Sequence, residues 1–254
     1  MPIPLSLLPA LLAPPAIAGE PASAAEPLVV AVANVKGDNA QARAVAEAIG
    51  GSHADLVVIL ECSRKSLAAD TLEAEGLGLL LDARDPSPWG VCIAGRLEAE
   101  TRVVPAPWSG PCLGPVGVAR MAVGSGFVAA LGVHLPPRLP ECEGTTDVAI
   151  AALAAWVKDG KLAADVGPAH AGDPVVLLGD FNTDGKKLSP LRAVGLAETG
   201  EKAGVKLVTW SAGPLKAWFD HIFIPAAWAV ESTVALDLPG SDHRGVVATI
   251  LPEE

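Results

Sequence analysis

Two short segments of the chain combine side chains that could hold a metal ion and activate water. An apolar stretch from Pro174 to Gly179 leads into Asp180 and Asn182, and Asp242 and His243 directly precede a second apolar stretch. Side chains two positions apart on an extended segment point the same way, so Asp180 and Asn182 should project together. Carboxylate and amide oxygens suit a hard divalent cation, and a histidine beside an aspartate suits a general base. The combination favours metal-dependent hydrolysis of a phosphoester.

Other apolar runs end in polar residues of the same chemical kind. Asn34, Glu61 and His134 each follow a run of apolar residues, and Asp220 lies beside another. A single polar residue at a strand end is ordinary, because strands commonly lead into polar loops. Several such residues from distant parts of the chain, all suited to one metal site, indicate that the strands bring them together.

The sequence predicts that many short strands and a few helices position these residues. Helices are predicted from Asn39 to Ile49, with Asp38 as N-cap, and from Thr145 to Val157. Many strands with interspersed helices fit a sheet core covered by helices. The predicted strands are Leu28 to Val35, Leu56 to Leu60, Trp89 to Ala94, Val116 to Val123, Phe127 to Val133, Val175 to Leu178, Ala217 to Ile224 and Gly245 to Leu251.

The charge of the chain bears on its substrate. Its 254 residues carry a formal net charge of −11, and no basic cluster of the kind that tracks a phosphate backbone is visible in the sequence. We therefore expect no strong nucleic-acid binding. A nuclease stays open as an alternative, because bound divalent cations reverse the local field.

The first 24 residues have the character of an export signal. A short apolar stretch is followed by small residues of the A-x-A type at Ala16 to Ala18 and Ala22 to Ala24, although the basic n-region is missing. A Pro/Ala-rich disordered tail is the alternative. We expect a periplasmic or extracellular protein without a transmembrane segment, since prolines interrupt the stretch. Residues 25–254 then form the functional domain.

The four cysteines are compatible with an oxidising compartment. Cys112 and Cys142 flank two apolar runs that a turn at Gly124-Ser125-Gly126 would fold into a hairpin, which makes a disulfide between them plausible and leaves open whether it forms. Cys62 and Cys92 occupy apolar strand positions and are expected to be buried thiols. No C-x-x-C spacing suggests a zinc site.

In order along the chain, these segments resemble the endonuclease/exonuclease/phosphatase superfamily, from about residue 28 to 251. The resemblance implies an α/β (α+β) fold, a four-layer α/β/β/α sandwich of two mainly antiparallel sheets flanked by helices, with the active site at one edge. The motifs that carry it most specifically are Gly179-Asp180-Phe181-Asn182, Phe219-Asp220-His221-Ile222-Phe223 and Ser241-Asp242-His243.

The resemblance also implies a metal site. Glu61 would be the principal ligand of Mg²⁺, with Mn²⁺ as a possible substitute, because this carboxylate offers the hard anionic oxygen that Mg²⁺ prefers. Asn34 would support the metal region, with capping of a turn as its alternative role. Asp242 would help to hold the metal or orient water.

The catalytic roles follow from the same resemblance. His243 would be the general base that activates water, oriented and charged by Asp220. Asp180 and Asn182 would position the nucleophile and the scissile phosphate. His134 would stabilise the transition state or protonate the leaving oxygen, although a histidine at a strand end is also a common structural residue.

These expectations describe an exported, monomeric Mg²⁺-dependent hydrolase whose substrate is a small-molecule or lipid phosphodiester. A Mg²⁺-dependent endonuclease or exonuclease is the first alternative. A non-catalytic binding protein of the same fold is the second, which would be favoured by loss of Glu61, Asp180 or His243, and the chain retains all three.

Overall fold

The computed structural model describes residues 26–110, 112–159 and 172–253. The predicted export signal or disordered tail at 1–24 lies outside these ranges. The strands, in chain order, are β1 (Leu28–Asn34), β2 (Leu56–Leu60), β3 (Gly78–Ala83), β4 (Val91–Gly95), β5 (Ala99–Val104), β6 (Val116–Val123), β7 (Gly126–His134), β8 (Val175–Asp180), β9 (Leu196–Glu198), β10 (Trp210–Ala212), β11 (Leu215–Ala217), β12 (Asp220–Pro225), β13 (Ala229–Asp237) and β14 (Arg244–Leu251).

The helices lie outside the sheets. Two 3₁₀ turns, Pro140–Cys142 and Gly185–Leu188, precede α3 and α4. The helices are α1 (Ala42–Gly51), α2 (Ala69–Ala74), α3 (Thr145–Lys158), α4 (Ser189–Ala193) and α5 (Thr199–Lys202). Within the described ranges, no helix has both the length and the apolar character needed to cross a membrane.

Two six-stranded sheets form the centre of the fold. Their strand orders are β13-β14-β1-β2-β4-β3 and β5-β6-β7-β8-β12-β9, and a separate two-stranded ribbon pairs β10 with β11. The neighbours within both large sheets are antiparallel except for β1–β2 and β7–β8. The predicted fold class, two mainly antiparallel sheets with flanking helices, is confirmed.

Three apolar clusters hold the layers together. The central cluster joins the facing surfaces of the two sheets, for example Val58 of β2 and Leu178 of β8. A second cluster packs Ile49 of α1 against the outer face of the first sheet, and a third packs Leu153 of α3 against the outer face of the second. Because both faces of the central strands are covered, a strand such as β2 is continuously apolar and fully buried.

The strand directions bring the polar strand ends to one edge. The carboxyl ends of parallel β1 and β2 meet there, as do those of β7 and β8. Antiparallel β12 and β14 begin at the same edge, because they run opposite to β8 and β1. In the second sheet, His134 pairs in register with Asp180, and Asp180 pairs with Asp220.

Two local predictions need correction. Helix α1 begins at Ala42, and Asp38 does not cap it. The chain instead makes a turn in which Asn39 Oδ1 accepts from the Gln41 amide at 2.9 Å and Asn39 Nδ2 donates to the Pro239 carbonyl at 2.9 Å. The predicted strand Ala217 to Ile224 is two strands, β11 and β12, separated by a break at residues 218–219.

The cysteines form two disulfides. Cys112–Cys142 is present, beside the hairpin of β6 and β7. The expectation that Cys62 and Cys92 are free thiols is wrong, since they are bonded to each other. Strand β4 pairs with β2 and places Cys92 opposite Ile59, three positions before Cys62.

Candidate active site

The carboxylate of Asp180 is the point on which the polar strand ends converge. It closes β8 and is 1% exposed. Its Oδ2 atom accepts a hydrogen bond of 3.1 Å from Asn34 Nδ2 and lies 3.6 Å from His134 Nε2 and 3.7 Å from His243 Nε2. Three residues from three other strands or strand ends therefore meet at one oxygen atom of Asp180.

Glu61 lies beside Asp180 in the loop that follows β2. Its backbone has a φ of +53°, a conformation that few residues other than glycine adopt. The Oε1 atom accepts from Asn34 Nδ2 at 3.1 Å, and Oε2 accepts from the Gly37 amide at 3.1 Å. Asn34 thus links the carboxylates of Glu61 and Asp180 through one amide nitrogen.

The donor set fits a hard divalent cation. Glu61 and Asp180 offer two carboxylates close together, which is the ligand type that Mg²⁺ and Ca²⁺ prefer. Asn34 turns its nitrogen toward these carboxylates, while its Oδ1 accepts from the Lys36 amide at 3.2 Å, so in this orientation it supports the ligands rather than offering an oxygen. Asp242 is exposed, accepts from Trp210 Nε1 at 3.3 Å and lines the same cleft as Glu61.

A second set of candidate ligand atoms, from Asp180, Asp220 and His243, lies within 4.8 Å. Asp220 and His243, however, are bonded to each other: Asp220 Oδ2 accepts from His243 Nδ1 at 2.8 Å. A cation between them would have to displace this bond. Glu61 with Asp180 is therefore the better metal site, and the Asp220–His243 pair is better suited to proton transfer.

The surroundings of Asp220 and His243 change their acidity. Burial raises the pKa of Asp220, the positive charge of His243 lowers it, and the charge of Asp180 raises it further. Burial alone would lower the pKa of His243, but the charge and hydrogen bond of Asp220, followed by the charges of Asp180 and Asp242, raise it to about 10. With these neighbours and no cation, the imidazole holds its proton at neutral pH.

The backbone holds both members of this pair in place. Thr209 Oγ1 accepts from the amides of Phe219 and Asp220, each at 3.0 Å. The amide of His243 donates to Ser241 Oγ at 3.0 Å, and this hydroxyl donates to the Asn34 carbonyl at 2.8 Å. The start of β14 is thereby tied to the end of β1.

His134 approaches Asp180 from the other side. Its Nδ1 atom lies 3.0 Å from the Pro88 carbonyl, so Nδ1 carries a proton and donates, and Nε2 points toward Asp180. The ring of Trp89 packs against the imidazole, with 5.0 Å between ring centroids. Neither contact was foreseen from the sequence, which placed Trp89 in a strand.

Asn182 reaches the site by a route other than the one expected. Strand β8 ends at Asp180, and Asn182 has a φ of +48°, so the two side chains do not project together as they would on an extended strand. The Asn182 amide donates to Asp180 Oδ1 at 2.8 Å, and its Nδ2 donates to the Leu135 carbonyl at 2.9 Å. Asn182 still lines the cleft.

His221 does not line the cleft. It is 1% exposed, and its Nε2 lies 3.0 Å from the Trp218 carbonyl and 3.2 Å from that of Thr183. The ring stacks on Trp218, and Nδ1 faces Glu198 at 3.7 Å. This placement agrees with a structural role.

The cleft also gathers residues that the sequence did not single out. Lys36, Arg64 and Lys65 line its part on one side of Glu61, and Arg138 and Lys187 line its part near Asp180. Apart from the adjacent Arg64 and Lys65, these cations come from separate segments of the chain, so the sequence shows no long run of basic residues. Trp89, Trp210, Phe219 and Leu139 supply apolar surface to the same cleft, with Trp210 and Phe219 in contact at 5.4 Å between centroids.

Comparison with known proteins agrees with this arrangement. The Endonuclease/Exonuclease/phosphatase family matches residues 31–243, a range that contains all of the residues that meet at the edge. A search of curated proteins finds no matching sequence.

Solved structures share the fold at low sequence identity. TDP2 from D. rerio complexed with single strand DNA product has a TM-score of 0.68 and 16% identity, covering 88% of this chain and 98% of that chain. An endonuclease/exonuclease/phosphatase family protein from Bacteroides thetaiotaomicron has a TM-score of 0.67 and 17% identity, covering 91% of this chain and 100% of that chain. Sphingomyelinase C from Streptomyces griseocarneus has a TM-score of 0.60 and 17% identity, covering 88% of this chain and 99% of that chain. Given the extent of the family match, this chain belongs to the Endonuclease/Exonuclease/phosphatase family and is a metal-dependent phosphoesterase.

Proposed function

We propose that this protein is an exported Mg²⁺-dependent phosphodiesterase in which His243 activates water and His134 assists departure of the leaving group. The observation that carries the proposal is the position of His243 Nε2 and His134 Nε2, which lie 3.7 and 3.6 Å from the same oxygen of Asp180. A phosphate bound next to Asp180 would have one imidazole available to take a proton from water and the other to give a proton to the leaving group.

His243 is suited to the role of base. Because its Nδ1 is bonded to Asp220, the nitrogen left for catalysis is Nε2, which in the neutral ring takes a proton from water as the water oxygen forms its bond to phosphorus. Asp220 stabilises the imidazolium that results, as the carboxylate does in other carboxylate–histidine pairs.

His134 is suited to the role of acid. Its Nδ1 is held by the Pro88 carbonyl, and in the protonated ring Nε2 can give a proton to the ester oxygen as its bond to phosphorus breaks. Water and phosphodiester are thereby converted to a phosphomonoester and an alcohol. A divalent cation held by Glu61 and Asp180 would supply positive charge that stabilises the phosphate oxygens.

A small-molecule or lipid phosphodiester is the proposed substrate class. The net charge of −11 opposes attraction of long polyanions, and the apolar rim of Trp210, Phe219 and Leu139 suits an apolar leaving group. Of the cations on that side, Arg138 is already paired with Asp147 at 2.6 Å, as is Lys187 at 3.5 Å. Export is supported by the character of residues 1–24 and by two disulfides.

A nuclease is the second candidate. Lys36, Arg64 and Lys65 add positive charge beside Glu61 that the net charge does not reveal. The structural neighbour from D. rerio holds a single strand DNA product. Both observations allow a nucleic-acid strand to be held locally despite the acidic chain.

One panel of substrates tests the proposal and separates the candidates. Purified protein is assayed with Mg²⁺ or with EDTA on bis(p-nitrophenyl) phosphate, on phospholipid and sphingomyelin vesicles, and on single-stranded and duplex DNA. His243→Ala serves as the inactive control. We expect Mg²⁺-dependent turnover that is highest on a lipid or small diester. Faster turnover of DNA would favour the nuclease, and no turnover of any ester would contradict the proposed function.

A further inference from the structure

The Cys62–Cys92 disulfide is adjacent in sequence to Glu61, one of the two proposed metal ligands. Cys62 is the residue after Glu61, and both cysteines are fully buried. Glu61 itself adopts a left-handed backbone conformation, which persists only where the surrounding structure imposes it. The disulfide fixes the residue next to this conformation to β4, the strand that pairs with β2.

The same cysteine is joined to the loop of residues 85–90. The amide of Cys62 donates to the Gly90 carbonyl at 3.1 Å, and the amide of Asp85 donates to the Cys62 carbonyl at 3.0 Å. A side chain at residue 90 would meet the Cys62 carbonyl oxygen at 2.1 Å, so the two segments are in the closest contact that the backbone permits. These backbone bonds hold both ends of the 85–90 loop beside Cys62, and the disulfide bonds Cys62 in turn to Cys92 of β4.

This loop extends to the other side of the site. The carbonyl of Pro88 accepts from His134 Nδ1 at 3.0 Å, and the Trp89 ring packs on the imidazole. A displacement of the 85–90 loop would therefore change the hydrogen bond that orients His134 as well as the backbone that presents Glu61.

We propose that the Cys62–Cys92 disulfide positions Glu61 and His134 through the 85–90 loop, and that its loss weakens binding of the divalent cation and misaligns His134. The inference rests on the proposed function, because it assumes that Glu61 binds the cation. Groups around a metal ligand commonly affect metal affinity by roughly 10- to 100-fold, and we expect an effect in that range.

Another set of bonds could make the disulfide dispensable. Ser66 Oγ donates to the Glu61 carbonyl at 3.1 Å, and Ser63 Oγ donates to the Gly37 carbonyl at 2.6 Å. If these hydroxyls alone fix the Glu61 backbone, the disulfide contributes to stability and leaves the site unchanged. The experiment has to separate these two cases.

The second disulfide is a matched control. Cys62–Cys92 and Cys112–Cys142 each span 30 positions, so the constraint on the unfolded chain is of the same size. We compare the variants C62A/C92A and C112A/C142A with the wild type. Mg²⁺ affinity is measured by titration calorimetry, the imidazole Nδ1–H signal of His134 by NMR, and kcat and KM on an alkyl phosphodiester.

We expect Mg²⁺ binding to weaken at least 10-fold and the His134 signal to shift or broaden only in C62A/C92A, with similar thermal destabilisation in both variants. Unchanged Mg²⁺ affinity and an unchanged His134 signal in C62A/C92A would overturn the inference. If the wild type itself binds no Mg²⁺, the proposed function fails first and the inference fails with it.

If C62A/C92A does not fold, the reduced and oxidised forms of one variant can be compared instead. The C112A/C142A variant retains Cys62 and Cys92 alone, so it is purified under reductant and then oxidised, with free thiols counted by alkylation. Tighter Mg²⁺ binding and a sharper His134 signal after oxidation would support the inference. Equal Mg²⁺ affinity in the two forms would overturn it.

Discussion

Asp180 and Asp220 lie opposite each other on antiparallel β8 and β12, and both side chains are buried. Like charges in directly opposed positions repel each other, so this pairing is unfavourable without compensation. Asn34 and the two imidazoles of His134 and His243 face Asp180, and His243 also binds Asp220. His134 and His243, which are proposed for catalysis, thus also join Asn34 in offsetting the repulsion between the two buried carboxylates.

Replacing Asp220 by Asn should lower kcat by roughly 10³- to 10⁴-fold, because the amide cannot stabilise the imidazolium of His243 by charge. The similar size of Asn should preserve the fold. Steady-state kinetics with Mg²⁺ and a thermal melt check both points. The control is Asp237→Asn, an exposed aspartate paired with Arg244, which should leave kcat within about twofold. A kcat near that of the wild type in Asp220→Asn would contradict the role of the pair.

Replacing His134 by Ala should lower kcat by roughly 10²- to 10⁴-fold, which is the usual contribution of a general acid. The loss should be smaller for substrates with a good leaving group such as p-nitrophenolate, because that group departs with little need for a proton. Comparing an alkyl ester with a p-nitrophenyl ester in the wild type and the variant measures this difference. An equal loss on both esters would argue against proton donation by His134.

His221→Ala is the contrasting change. The ring packs against Trp218 and Phe181, away from the cleft, so its removal should destabilise the fold by about 2 kcal/mol or more. The folded protein should keep kcat within about threefold, since no transition-state contact is lost. Urea unfolding and kinetics at low temperature separate the two effects. A large loss of kcat with normal stability would show that the structural interpretation of His221 is wrong.

The gathering of polar residues at one edge of the sheets was predictable, because the end of a buried strand is visible in the sequence as a change from apolar to polar residues. The apolar runs of β2 and β8 are buried on both faces, so the first polar residue after each marks the point at which the strand leaves the core, as at Glu61 and Asp180. The sequence could not predict that Asn182 turns away from the strand direction. That turn depends on a left-handed backbone and on a bond to the carbonyl of Leu135, the residue that follows neighbouring β7.

Features that depend on strand order were not predictable. Cys62 and Cys92 are neighbours because β4 pairs with β2 and β3 lies outside β4, an order that no local pattern reveals. The bond from Pro88 to His134 likewise joins the two sheets across 46 positions. The strand order also brings together the cations of the cleft, which are far apart in the sequence, and the negative net charge of the chain gives no indication of them.

Gly179→Ala should disturb both stability and the site. A Cβ atom at residue 179 would lie 2.1 Å from the Val133 carbonyl oxygen on neighbouring β7, and a strand backbone cannot yield easily. We expect a loss of about 1–3 kcal/mol in the free energy of unfolding, together with a lower kcat because the adjacent Asp180 is displaced. The control is Gly126→Ala, where nothing lies within 4 Å of the added atom. Equal stability of the two variants by urea denaturation would contradict this packing argument.

The titration of His243 should depend on the divalent cation. Burial disfavours its protonated form, but the charge and hydrogen bond of Asp220 and the charges of Asp180 and Asp242 raise its pKa to about 10. In EDTA the ring should therefore stay protonated from pH 6 to beyond pH 9 and lose its proton only as the pH passes about 10. The proposed base has to be neutral to accept a proton, so we expect the metal-free protein to be inactive at pH 7.

A cation held by Asp180 offsets one of the negative charges that favour the imidazolium. Saturating Mg²⁺ should therefore move the titration of His243 to lower pH, and kcat should rise with pH as the ring is deprotonated. Two-dimensional ¹H–¹⁵N spectra of the imidazoles between pH 6 and 10.5, with EDTA and with Mg²⁺, measure both transitions. Asp220→Asn should lower the pKa in EDTA, because it removes the largest favourable charge. A titration that is the same with and without Mg²⁺ would place the cation away from Asp180.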